Sequence, residues 1–249
     1  MINISLAAEP ITTVAGLPIT NSMLGMLSAG LVLIWLARLS SKRAAAVPNK
    51  FQAAGELVVE TLFNLVDGVT GDRDKSKKFF PLVATIFLFV LFMNWIGLIP
   101  LFGTIGLNET VAGHRAFVPF LRSGSADLNM TLAIALIAQL AAQVFGVMMS
   151  GGRAYGRKFF NLKNPLFTFV GLIEFISEFT KIISFSFRLF GNIFAGEVLL
   201  LVISTLVPLI APVPFFLLEI FVGFIQALVF ALLALVFFTI ASTAAETAH

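Results

Sequence analysis

Cysteine is absent from the 249 residues of the chain, which excludes disulfide bridges, zinc–thiolate sites and thiol catalysis. Charged residues are scarce at 12%, and a net charge of +3 that is confined to short segments does not indicate nucleic-acid binding. The sequence also contains no phosphate-binding loop, no nucleophile paired with a base and no metal-ligand cluster. We therefore expect a chain that is not an enzyme and that uses no cofactor and no metal ion.

Hydrophobic residues, in contrast, make up 59% of the chain, and its mean hydropathy is +1.01. The 28 phenylalanines greatly outnumber the two tryptophans and the single tyrosine, which is typical of helices that face lipid rather than water. A soluble globule with one core and a charged surface does not have this composition. The sequence predicts an all-α, polytopic membrane protein.

Five apolar runs are long enough to cross a bilayer, and we expect them to form one membrane domain over residues 1–249. They cover residues 22–39, 79–101, 127–150, 165–207 and 214–242. A basic cluster, Arg38, Lys42 and Arg43, follows the first run and predicts that this end lies on the cytoplasmic side. The segment 1–20 has no Lys or Arg, is not expected to be a signal peptide, and is predicted to lie outside.

Between the first two spans, residues 49–70 are predicted to form an amphipathic helix that lies flat at the membrane interface. Its polar residues recur at spacings of four and three, and they are Gln52, Glu56, Glu60, Asn64 and Asp67. Asn49 can cap this helix with Gln52 in the capping-box position. The polar face is acidic, which suits contact with partner subunits better than adsorption to anionic lipid; a face that is merely solvated is the alternative.

The run 165–207 contains no internal proline and as one helix would be about 64 Å long, twice a hydrocarbon core of ~30 Å. Two interpretations remain open. Either the helix is strongly tilted within the membrane, or Gly191 and Gly196 break it into two spans and place Arg188 near a membrane surface.

Arg188 is the most unusual residue of this run, because an arginine at membrane depth costs at least ~3 kcal/mol on insertion scales. Such a cost is normally retained for function; the alternative is a structural arginine that pairs with a carboxylate inside the bundle. On an ideal helix, one polar face within about 40° of Arg188 gathers Glu174, Lys181, Ser184, Asn192 and Ala195, with Glu178 at its edge. Glu197 projects to the opposite side.

Polar residues also fall within two of the other spans, 79–101 and 127–150. Asn94 is predicted to bond to a neighbouring helix, and Gln139 and Gln143 lie one turn apart on a face that should turn toward the bundle. Residues 102–126, with His114, Arg115 and Arg122, are predicted to form an outer loop.

Several motifs together resemble one family. They are Arg188-Leu-Phe-Gly-Asn192 followed by Ala195-Gly196-Glu197, Glu174 fourteen residues upstream, Gln226-Ala-Leu-Val-Phe, Met93-Asn94-Trp-Ile-Gly-Leu-Ile-Pro100 and Asp127-Leu-Asn129-Met-Thr131. This pattern, over residues 50–245, resembles the a subunit of the membrane (Fo) sector of rotary ATP synthase.

The resemblance implies a stator subunit of a bacterial inner membrane, with its N-terminus outside and its C-terminus in the cytoplasm. Its long slanted helix pair would face a rotating ring of c subunits, and its other partners would be the peripheral-stalk b subunits, the whole ATP synthase complex and membrane lipid. The implied proton-translocation residues are Arg188 with Asn192 and Gln226 beside it, Glu197 and Glu219 in an outer half-channel, and Glu174, Glu178 and Ser184 in an inner one.

One feature departs from the family pattern: many members carry a histidine at one of the two positions that Glu197 and Glu219 occupy. A self-contained secondary ion transporter is the alternative from another functional class. It should show an internal repeat with matching broken helices, and the first half of the chain has no counterpart to the Arg188 segment.

Overall fold

The computed structural model describes residues 8–14, 16–41, 50–99, 106–111, 114–159, 165–207 and 210–243. Within these ranges the chain forms seven α-helices and two β-hairpins. In chain order they are β1 (Pro10–Val14), β2 (Leu17–Thr20), α1 (Asn21–Ser41), α2 (Lys50–Thr70), α3 (Arg73–Ile96), β3 (Gly106–Val111), β4 (His114–Pro119), α4 (Leu128–Ser150), α5 (Gly152–Phe159), α6 (Pro165–Leu206) and α7 (Pro212–Thr243).

Five of these helices, α1, α3, α4, α6 and α7, are long and apolar enough to cross a membrane. The prediction of an all-α polytopic membrane protein is thereby confirmed. The two antiparallel hairpins, β1–β2 and β3–β4, are small additions within segments that the sequence analysis placed outside the membrane.

Helices α3 and α7 form the centre of the bundle, and α4 packs against both α6 and α7. Small residues allow α4 and α7 to approach each other closely, because Ala138 and Ala142 on one helix and Ala231 and Ala234 on the other are all buried. Next to them Phe79 packs edge-on against a phenylalanine of α4, with ring centroids 4.9 Å apart. These contacts fix the positions of the helices that carry the polar residues.

Two aspartates define helix starts. Asp72 caps α3 by accepting hydrogen bonds from the backbone N–H groups of Asp74 and Lys75, so α3 begins at Arg73, six residues before the predicted span. Gly71, with φ 65°, makes the turn that leads into this cap. Asp127 caps α4 by accepting from the Asn129 N–H at 2.9 Å, and it also accepts from the Ser22 hydroxyl of α1 at 2.7 Å.

The predicted amphipathic segment corresponds to α2, which is not among the helices apolar enough to span. Gln52 is buried and donates to Glu56 Oε1 at 2.8 Å, while Glu56 and Glu60 are exposed. The predicted cap Asn49 lies outside the described residues, as do Lys42 and Arg43 of the predicted basic cluster.

Helix α6 is continuous over 42 residues, about 63 Å at 1.5 Å per residue. Of the two interpretations of this run, the break at Gly191 and Gly196 is therefore wrong, since both glycines lie within regular helix. Helix α7 begins at Pro212 rather than Pro214 and packs against α6. The tilt of the pair relative to a membrane stays a prediction.

Candidate functional site

One face of α6 is exposed to the outside of the chain. The exposed positions recur every three or four residues, as expected for one side of a helix, and they are Ile183, Ser184, Phe187, Arg188, Gly191, Asn192 and Ala195. Among the residues between them, Phe185, Leu189 and Ile193 are buried against the bundle. Arg188 thus lies in the middle of a face that the described part of the chain leaves uncovered.

The alternative in which Arg188 pairs with a carboxylate inside the bundle is not observed. Within the described ranges, the Arg188 guanidinium makes no ion pair and no hydrogen bond. An unpaired guanidinium at membrane depth is costly, so this face requires either water or a partner that carries negative charge.

Glu197, on the other side of α6, pairs with Arg122. The Arg122 Nε atom lies 3.1 Å from each of the two Glu197 carboxylate oxygens. The Arg122 side chain is only 8% exposed, and its guanidinium carbon lies 5.8 Å from the centre of the Phe194 ring. Charge-assisted hydrogen bonds of this kind hold both side chains in place.

Glu219 of α7 lies directly against α6 and beside Glu197. It is 4% exposed, and a Cβ atom added at Gly196 would overlap its carboxyl carbon and both carboxyl oxygens. Glycine at position 196 therefore makes room for the carboxyl group, which would have to move if a side chain were added there. Among the described residues, the buried Glu219 Oε1 atom has no hydrogen-bond partner. The packing of α6 against α7 thus brings Glu197 and Glu219 together, and we call these two glutamates the acidic pair.

Asn21, at the start of α1, anchors two chain segments near this pair. Its N–H donates to the Glu9 carbonyl at 3.1 Å, its side-chain oxygen accepts from the Glu9 N–H at 3.3 Å, and its carbonyl accepts from the Arg122 N–H at 3.5 Å. Gly25 allows the Arg122 carbonyl to approach α1 where a Cβ would block it. The Glu9 carboxyl consequently lies within electrostatic range of Glu197.

A second polar cluster joins α4, α5 and α6. Glu178 accepts from Lys181 Nζ and from Gln143 Nε2, each at 2.8 Å, and also from the Gln139 side chain. The Tyr155 hydroxyl donates to Gln143 Oε1 at 2.5 Å. Gln139 and Gln143 therefore turn toward the bundle as predicted, and Glu178 is neutralised by a cation on its own helix.

Tyr155 lies on the short helix α5 and is buried in this cluster, with 5% of its surface exposed. Burial, with a smaller contribution from the nearby carboxylates of Glu178 and Glu174, raises the pKa of Tyr155 to about 12. The hydroxyl therefore remains a proton donor across the physiological range.

The remaining predicted residues lie along α3, α6 and α7. Asn94 donates to the Gly223 carbonyl at 2.8 Å and accepts from the Ser125 hydroxyl at 2.5 Å, which confirms its predicted bond to a neighbouring helix. Glu174 and Gln226 are half-buried, and Ser184 is exposed. The contact of Gln226 with Arg188 stays a prediction.

Three residues of the site were not among the predicted site residues: Arg122, which was placed in the outer loop, Glu9 and Tyr155. The position of Arg122 could have marked it as a candidate, because it directly follows the apolar run from Ala116 to Leu121. Its partner is 75 residues away, however, and nothing in the local pattern identifies that partner. In the part of the chain that the structure describes, no group of His, Asp or Glu residues is arranged to hold a metal ion.

Known proteins of one family resemble this chain over most of its length. The family model of the ATP synthase A chain matches residues 23–239. The ATP synthase subunit a of Gloeobacter violaceus is 36% identical over 203 residues, which cover 82% of this chain and 76% of that protein. The ATP synthase subunit a 1 of Syntrophotalea carbinolica is 36% identical over 88% of this chain and 83% of its own length.

The ATP synthase subunit a of Campylobacter jejuni is 32% identical over 219 residues, 88% of both chains. The family model covers most of the chain, including the helix that exposes Arg188 and the acidic pair beside Gly196. The chain belongs to the ATP synthase A chain family.

Proposed function

We propose that this chain is the stator subunit of the membrane sector of an ATP synthase, and that it supplies the two proton half-channels and the arginine that faces the rotating c-ring. The observation that carries the proposal is the uncovered face of α6 with Arg188 at its centre. An unpaired cation on an apolar helix at membrane depth needs either water or a partner that carries negative charge. A ring whose subunits each carry one carboxyl group provides such a partner.

In this mechanism Arg188 controls the charge state of the ring carboxyl. A ring carboxyl that comes within ~4 to 6 Å of the guanidinium is favoured in its charged form, so its proton leaves on that side. As the ring turns away, the carboxylate must take up a new proton before it enters lipid, because an unpaired charge there is costly. Arginine suits this role because it does not release its own proton.

Arg188 also separates the two half-channels. A fixed cation repels a proton that would pass directly from one half-channel to the other, so flow is coupled to rotation. One proton that crosses ~200 mV contributes about 4.6 kcal/mol, at ~2.3 kcal/mol per 100 mV, so several protons suffice for one ATP.

We assign the acidic pair, Glu197 and Glu219, to the outer half-channel. Their carboxyl groups converge where α6 and α7 pack together, so both lie at the same point of the proposed path. Asn192 and Gln226 are assigned as polar neighbours of Arg188.

The inner half-channel is assigned to Glu174, Glu178 and Ser184. Ser184 lies on the exposed face one turn before Arg188. Glu178 is held by Lys181 and two glutamines, so it contributes a fixed negative charge that balances Lys181. The proton would then pass Glu174 and Ser184.

The proposal includes the partners and the location. The partners are the c-ring, the b subunits of the peripheral stalk, the rest of the ATP synthase complex and membrane lipid. The nucleotide chemistry would belong to other subunits. The exposed acidic residues Glu56 and Glu60 of α2 offer a surface for a partner subunit. The membrane is a bacterial inner membrane, with the N-terminus outside and the C-terminus in the cytoplasm.

Cysteine cross-linking tests the proposal directly, since the chain has no cysteine of its own. In the assembled complex, Asn192→Cys should form a disulfide with a cysteine placed near the carboxyl of the ring subunit. Met148→Cys is the control, because Met148 is 75% exposed on α4 and is not on the Arg188 face. Equal cross-linking of both variants, or none by Asn192→Cys, would contradict the assignment of this face to the ring.

A secondary transporter would give a different result in purification. Under the proposal, the tagged chain copurifies with a c-ring and a soluble ATPase head. Recovery of a lone homo-oligomer with no ring subunit would favour the transporter.

A further inference from the structure

We propose that Arg122 is a positioning residue of the outer proton path: it holds Glu197 as the fixed member of the acidic pair and leaves Glu219 as the carboxyl group that exchanges the proton. This inference rests on the proposed function, because it assigns separate roles within the half-channel proposed above. It adds Arg122, which lies outside the Arg188–Glu197 motif, and it gives the two glutamates different roles.

The contacts of the two carboxyl groups differ sharply. Arg122 Nε lies 3.1 Å from both oxygens of Glu197, so that carboxylate is bound by a group that carries a permanent positive charge. Glu219 has no such partner among the described residues, and its buried Oε1 atom makes no hydrogen bond. A carboxyl group that is to take up and release a proton must be free to do both. Glu219 meets that condition and Glu197 does not.

Arg122 is itself rigidly placed. Its backbone N–H donates to the Asn21 carbonyl, and its own carbonyl packs against Gly25 of α1. Its guanidinium lies near the Phe194 ring, one turn before Glu197 on α6. A side chain that is 8% exposed and held at both ends sets the position of its partner rather than following it. The Arg122 side chain therefore ties α6 to the segment that precedes α4.

The charged groups that face the pair within the described part of the chain come from three different segments. Glu197 is faced by Arg122 from the segment before α4, by Glu219 from α7 and by Glu9 from the segment before β1. Arg188 lies on the same helix but on its other side. If Arg122 is lost, Glu197 becomes a second carboxyl that can bind a proton beside Glu219, and two coupled carboxyls titrate in two steps.

The experiment measures passive proton conduction through membranes that retain the complete Fo sector after removal of the soluble head, as a function of outer pH. The wild type should show one titration step. Arg122→Gln should show two steps, because Glu197 then loses the opposite charge that keeps it ionised and two coupled carboxyls titrate in separate steps. Arg122→Lys should resemble the wild type more closely, because it keeps the charge. The double variant Arg122→Gln/Glu197→Gln should return to one step.

Glu219→Gln supplies the complementary arm: it should abolish the titration step and slow conduction at least about tenfold. Lys77→Gln removes one cation from an exposed site and serves as the control for net charge. Immunoblots of the a and c subunits establish assembly for each variant. If Arg122→Gln does not assemble, the test is the comparison of the double variant, which removes both members of the ion pair and should keep the step, with Glu219→Gln, which should lose it.

A single unshifted step in Arg122→Gln would overturn the proposal, and so would loss of the step in Glu197→Gln with its retention in Glu219→Gln. Failure of the proposed function is a separate result, because it would appear as proton pumping that survives the loss of Arg188. The positioning role of Arg122 can therefore fail while the role of Arg188 stands.

Discussion

Replacement of Gly196 by alanine should displace the carboxyl of Glu219, the proposed proton carrier, without removing any polar group. Three atoms of the Glu219 carboxyl would lie well within 3.0 Å of the new methyl group, a separation that real Cβ atoms essentially never show. Glu219 is 4% exposed and has α6 on one side, so its carboxyl must rotate away or the two helices must separate. Either change disrupts the acidic pair.

The magnitude follows from the cost of overpacking. Forcing an extra methyl group into a packed site costs about 1 to 3 kcal/mol, which corresponds to a factor of about 5 to 160 at 1.36 kcal/mol per tenfold. If this free energy is needed to return the carboxyl to its working position, proton conduction falls by that factor. The assay is conduction through head-stripped membranes, together with ATP-driven pumping by inverted vesicles.

Two further variants make the test specific. Gly68→Ala is the matched control, because an added Cβ there meets no atom within 4 Å. The double variant Gly196→Ala/Glu219→Asp should recover part of the activity, since the shorter side chain withdraws its carboxyl from the new methyl group. Wild-type conduction in Gly196→Ala would refute the reasoning, because it would mean that proton conduction does not depend on the position of the Glu219 carboxyl beside α6.

Two further expectations concern parts of the fold that support the site. Asn94→Leu should destabilise the complex by about 1 to 3 kcal/mol, because it leaves the Gly223 carbonyl and the Ser125 hydroxyl without their partner. Thermal unfolding of the purified complex measures this effect, and an unchanged melting temperature would contradict it. Tyr155 should titrate with a pKa of about 12, so the folded state binds this proton more tightly than the unfolded state, whose tyrosine has a pKa near 10, and the contribution of Tyr155 to stability falls as pH rises from 10 to 12. Tyrosinate absorbance, taken as the difference between wild type and Tyr155→Phe, reports this titration, and a midpoint near 10 would show that the hydroxyl is not buried.

The sequence could predict features that repeat along one element. Apolar runs identify the five spanning helices, because a bilayer demands continuous hydrophobic length. The helical period placed Ser184, Asn192 and Ala195 on one face with Arg188, and the structure exposes all four. Asn94 was expected to bond across helices because a buried amide in an apolar helix needs a partner.

Contacts between distant segments were not predictable in this way. The pairing of Arg122 with Glu197 joins residues 75 positions apart, and Asn21 binds the backbone of Glu9 near the same region. Gly196 was considered a possible helix break, whereas its actual role is to make room for Glu219 of another helix. A glycine looks the same in a sequence whether it ends a helix or accommodates a neighbour.

The start of α3 shows the same limit on a smaller scale. The charged residues from Asp72 to Lys78 precede the predicted span of residues 79–101. Helix α3 nevertheless begins at Arg73, because Asp72 caps it. Charge indicated where the span begins, but not where the helix does.

Proton pumping by Arg188→Ala tests the central claim most directly. Inverted vesicles that contain the assembled variant complex are given ATP, and acidification of the interior is measured. The account predicts no pumping and no proton-driven ATP synthesis despite normal assembly, and it predicts that Arg188→Lys also fails, because a lysine ammonium has a different reach and can lose its proton when buried. Normal acidification by Arg188→Ala vesicles would contradict the account, because the exposed cation of α6 would then not be what couples proton flow to rotation.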